Sequence, residues 1–62
     1  MNNYTVKKIE RILKSNDPEF LFELEIRQQT DKLMRCNDEE CSKELNDHIN
    51  AIIEARAKYL GL

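Results

Sequence analysis

Apolar residues recur along this 62-residue chain at intervals of three and four, the period of one helix face, and the pattern predicts three helices. In the first, over about 4–14, Val6, Ile9 and Leu13 form a stripe with Ile12 beside it, while Lys7, Lys8, Arg11 and Lys14 take the remaining surface. In the second, over about 18–35, Phe22, Ile26, Thr30 and Leu33 form the stripe, flanked by Leu21, Leu24 and Gln28. That stripe is strongly apolar at its start and polar in its middle, at Gln28, Gln29 and Thr30; polar seam residues cost stability but can fix register or oligomeric state. In the third, over about 38–60, Cys41, Leu45, Ile49, Ile52, Arg56 and Tyr59 follow one another at helical spacing, with Ile53 and Leu60 widening the seam.

The boundaries carry their own chemistry. Asp17 is placed to accept from the free amides of the second helix, and Pro18 suits the first helical position, where its missing N–H is no loss. A residue before proline also avoids helical geometry, which ends the first helix here. Glu19 complements the positive end of the helix dipole, as Asp38, Glu39 and Glu40 do for the third helix. Asn37 with Glu40 three residues on resembles a capping box and marks Asn37 as the expected cap. At the far end Arg56 and Lys58 favour the negative pole, and Gly61 follows the last turn.

One Gly and one Pro leave no supply of turn residues for a strand-rich fold. The expected class is all-α: an antiparallel α-hairpin with a short N-terminal helix, a single domain over residues 1–62, pairing into a small helical bundle. Pairing is expected because a core of fewer than about 70–80 residues rarely supplies more than about 3–5 kcal/mol. Two hairpins stacking their seams would make a four-helix bundle; the alternative is a first helix that folds back and closes a three-helix monomer.

Hydrophobic residues make up 40% of the chain and charged residues 35%, a globular balance, and the longest apolar runs are three residues, too short for a membrane span or an export signal. A cytoplasmic location is expected, with no membrane partner. The net charge is −2, and the one basic cluster (Lys7, Lys8, Arg11 and Lys14, with Glu10 among them) reads as a solvated helix face rather than a nucleic-acid footprint.

The candidates for chemistry are few. Cys36 and Cys41 bracket the turn and, in a reducing compartment, are expected as ordinary thiols. Cys41 and His48 share a helix face, but their seven-residue spacing is about 10 Å, too wide for one metal ion. His48, the only histidine, is expected at the edge of the Leu45–Ile49–Ile52 seam with a hydrogen-bond partner. Glu23, Glu25, Glu39, Glu40 and Glu44 read as surface and capping charges. No catalytic residue, metal ligand or cofactor site is expected, and no enzymatic activity.

Ser42-Lys43-Glu44-Leu45-Asn46 resembles the Ser-Gln-Glu-Leu-Asp segment of short α-hairpin proteins that dephosphorylate aspartyl-phosphate on sporulation response regulators. The resemblance implies a phosphatase acting on a receiver domain. Lys43 stands in place of Gln, Asn46 in place of the critical Asp, and the preceding helix and loop are several residues short for that family's spacing.

The leading expectation is therefore a protein–protein interaction module, a small regulator or inhibitor of a larger protein. Its expected contact residues are Phe20, Leu21, Phe22, Leu24, Ile49, Ile52 and Tyr59, and its partners another protein and a second copy of itself. A purely structural homodimerising segment is the further alternative.

Overall fold

A computed structural model describes residues 3–62, which form three helices: α1 (Asn3–Leu13), α2 (Pro18–Arg35) and α3 (Glu39–Leu60). α2 and α3 make the hairpin, and α1 folds back onto both of them, closing a three-helix bundle of 34 × 20 × 20 Å.

The expected caps are formed, with one change. The Phe20 amide donates to Asp17 Oδ1 at 3.3 Å and Pro18 occupies the first turn of α2. The cap of α3 is Asp38, not Asn37: its Oδ1 accepts from the Glu40 amide at 3.2 Å, and its extended backbone (φ −108°, ψ 132°) is that of an N-cap. Asn37 is displaced by its neighbour because either short polar side chain can cap, and the helix begins one residue later. α3 ends in a Schellman turn, the Gly61 amide donating to the Lys58 carbonyl at 3.2 Å and the Leu62 amide to the Ala57 carbonyl at 2.9 Å. The left-handed φ of 77° at Gly61 suits a residue without a Cβ.

The inward faces are turned relative to the apolar stripes. On α1 the buried residues are Thr5 and Ile12, with Ile9 packed beside them, while Val6 and Leu13 face outward. On α2 they are Phe22, Glu25 and Gln29, while Thr30 is exposed. On α3 they are His48, Ile49 and Ile52, and Ile53 is exposed. The interior thus has two layers. At the end where α1 stops, α2 starts and α3 stops, Ile12, Phe22 and Ile52 form the apolar core, with Ile9, Leu21, Ile26 and Ala55 packed against it. Towards the α2–α3 turn the layer is polar: Thr5, Glu25, Gln29 and His48.

The turn itself corrects the expectation of free thiols: Cys36 and Cys41 are joined as a disulfide, with Cα atoms 6.3 Å apart. Ending α2 at Arg35 and starting α3 at Glu39 brings the two positions within the Cα range that a disulfide spans.

Candidate functional site

The polar layer contains the most closely organised chemistry in the molecule. Thr5, Glu25, Gln29 and His48 each stand on the helical period of the core, so the packing that buries the apolar residues draws them inward too. His48 is the hub. Its Nε2 lies 2.8 Å from Glu25 Oε2, and its Nδ1 lies 2.7 Å from Thr5 Oγ1. Gln29 Nε2 donates to the same Glu25 oxygen at 3.3 Å, and Lys8 Nζ stands 3.6 Å from Glu25 Oε1. The Tyr4 ring covers the imidazole, with centroids 5.3 Å apart. A carboxylate only accepts, so His48 Nε2–H donates to Glu25, and in that tautomer Nδ1 accepts from the Thr5 hydroxyl. All three helices are tied through one imidazole.

A hydroxyl, an imidazole and a carboxylate in series invite comparison with a nucleophile–base–acid relay. Thr5 is 2% exposed, Glu25 3% and His48 6%, and Thr5 and His48 stand at the edge of a depression of about 400 Å³. The series ties the three helices together as a polar staple. His48 has the buried, partnered position expected of it, whereas Glu25, expected at the surface, is instead its main partner.

Beside the staple, a cleft of about 710 Å³ opens between the Tyr4 end of α1 and the disulfide turn. Leu45 and the Cys36–Cys41 bridge line it, with Lys32 and Arg35 on one bank and Asp38 and Glu44 on the other. Its charges are mixed, and His48 and Gln29 of the polar layer reach its wall.

The opposite end of the bundle is different. There α1 stops, α2 starts and α3 stops, and the chain leaves Leu13, Phe20, Tyr59 and Leu62 exposed. Tyr59 still touches the core, its ring centroid 6.0 Å from that of Phe22. The expected contact residues are therefore split. Phe22, Ile49 and Ile52 are buried and serve the core of this chain, and Leu21 packs against that core. Leu24 is half-buried, while Phe20 and Tyr59 are 57% and 47% exposed. The reason is the docking of α1: Ile12 covers Phe22 and Ile52, which a bare hairpin would leave open.

The Ser42–Asn46 segment lies on the first turns of α3, with Lys43, Glu44 and Asn46 exposed and Ser42 and Leu45 half-buried. Lys7 and Arg11 are exposed along α1 and Lys14 just beyond its end, while Lys8 leans on Glu25. Arg56 reaches Glu23 on α2 at 3.4 Å, and its Nε is the one buried side-chain nitrogen or oxygen without a partner among the described residues. No group of three His, Cys, Asp or Glu side chains among the described residues is placed to hold a metal ion. No described helix is long and apolar enough to cross a membrane. Searches against protein-family models, curated proteins and solved structures found no match for this chain.

Proposed function

We propose that the chain is a small helical protein–protein interaction module, a regulator or inhibitor that works in the cytoplasm by docking on a larger protein through the apolar end of its bundle. The observation that carries this reading is the gathering of Leu13, Phe20, Tyr59 and Leu62, exposed, at the one end where α1 and α3 stop and α2 starts. Burying an exposed Phe or Leu side chain is worth about 1.5–3 kcal/mol, and a few such anchors dominate most interfaces. The aromatic pair is well suited to that role. Phe20 stands on the capped first turn of α2, and Tyr59 is braced against Phe22, so little ordering is left to be done on binding.

A binding role also accords with the burial of Thr5, Glu25 and His48, whose hydrogen bonds hold the three helices together. The Cys36–Cys41 bridge closes so short a loop that the bundle depends little on it.

The test is capture from host extract followed by direct titration of the captured protein. F20D should abolish binding while helicity and melting stay as in the parent chain, because Phe20 is outside the core. If F20D binds as the parent does, the apolar end is not the docking surface. The phosphatase reading rests on Ser42–Asn46 alone, and accelerated loss of phosphate from a phosphorylated receiver domain would favour it.

A further inference from the structure

A second surface runs along the side of the bundle, between α1 and α3. Two depressions of about 400 and 460 Å³ share Ala51 and Glu54 and so run end to end as one trough. Its floor is Ile9 and Leu13 from α1 and the small pair Ala51 and Ala55 from α3, one helical turn apart. Small residues at that spacing let another helix approach closely. The α3 bank is acidic, with Asp47 and Glu54 seven residues apart, about 10.5 Å along the helix. Asp47 has no ion-pair partner among the described residues, and Glu54 has only a solvent-exposed contact with Lys58 at 4.0 Å.

The helix that fits this trough is on the page: it is α1 itself. Its outward face repeats at the same interval, Val6-Lys7 and then Leu13 with Lys14 just past the last turn, whose amide still bonds the Glu10 carbonyl at 3.1 Å; each is an exposed apolar residue beside an exposed lysine. Neither lysine has an ion-pair partner among the described residues. Lys7 and Lys14 are seven residues apart, as Asp47 and Glu54 are. Glu10, midway between the lysines, would fall against Asn50, the uncharged residue midway between the acids, whose amide can donate to it.

We propose that the chain forms a two-fold dimer in which α1 of each copy lies in the α1–α3 trough of the other. Lys7 and Lys14 pair with Glu54 and Asp47 of the second copy, a register that seats Val6 over its Ala55. The contact is self-complementary, as a two-fold interface must be, and it turns two three-helix bundles into one larger helical assembly. It meets the docking end at Leu13 and Tyr59, which line the trough, but not at Phe20, which is on α2, a helix that does not line it.

The experiment is sedimentation equilibrium of the full chain from about 1 μM to about 1 mM, with a charge exchange. The parent chain should dimerise. D47K/E54K and K7E/K14E, all at exposed positions, should each keep the helical content and melting of the parent but raise the dimer dissociation constant at least about tenfold. Mixed in equal amounts, the two variants should associate more tightly than either does alone, because both reciprocal contacts then set lysines against acids, one as in the parent and the other with the signs exchanged. F20D should dimerise as the parent does, which separates failure of this proposal from failure of the docking end. A parent chain that stays monomeric throughout, a dimer indifferent to both charge reversals, or a mixture no tighter than its components would overturn the arrangement.

Discussion

Removing the imidazole of His48 leaves the Glu25 carboxylate buried, 3% exposed, with Gln29 at 3.3 Å and Lys8 at 3.6 Å as its remaining partners. Lys8 is a third exposed and its attraction is screened by water, so it offsets little of the loss. Leaving a buried charge without its main partner costs about 3–5 kcal/mol, and a domain of 62 residues has about 3–9 kcal/mol in total at the usual stability per residue. H48L should therefore lie near the edge of folding. E25L should be milder, because it leaves no buried charge behind and His48 keeps its hydrogen bond with Thr5. T5V removes one hydrogen bond from a buried ring nitrogen and should cost about 1–3 kcal/mol. The decisive variant is E25L/H48L. Replacing both members of a buried polar pair with apolar groups of similar volume is often neutral or stabilising. The double substitution should be more stable than H48L alone, with a coupling of at least about 2 kcal/mol. Urea unfolding followed by helical circular dichroism measures each. If H48L costs under about 1 kcal/mol, or if the double substitution costs the sum of the singles, the staple is not a closed unit and the account of the polar layer fails.

Three further outcomes follow from the same structure. F22A should cost about 3–5 kcal/mol by opening a cavity among Ile12 and Ile52, whereas F20A should change stability little; equal losses in chemical denaturation would contradict the placement of the core. D17A should lower stability by about 1 kcal/mol, since the Phe20 amide loses its acceptor, and D38A should do the same for Glu40 while N37A does not; urea midpoints decide which residue caps α3. C36S/C41S should cost no more than about 2 kcal/mol, because the bridge spans only five residues of sequence and restrains little of the unfolded chain; a larger loss on denaturant titration would mean that the turn holds the bundle together.

The three helices and their ends were legible because each boundary rests on local chemistry: a proline at a first turn, an acid before it, a glycine after the last. The faces were less legible, for a physical reason that the polar layer makes plain. Reading apolar residues alone put Val6 and Leu13 inward on α1 and Thr30 inward on α2, yet these are exposed, and Thr5, Glu25 and Gln29 took the inward positions. The signal was present as polar residues standing on the core period. Thr5, Ile9 and Ile12 are four and three apart; Phe22, Glu25 and Gln29 three and four; His48, Ile52 and Ala55 four and three. Each polar member taken singly would be expensive to bury. Burial becomes tolerable only because α1, α2 and α3 deliver donors and acceptors to one level, a three-body match that no single helix displays. The same match gives α1 a fixed seat on the hairpin, through Thr5 and Lys8 as well as Ile12. A bundle closed by polar contacts has fewer apolar residues committed to its interior, and that leaves Val6, Leu13, Phe20 and Tyr59 outside. The polar staple within and the apolar surfaces without are two consequences of one choice of helix rotation.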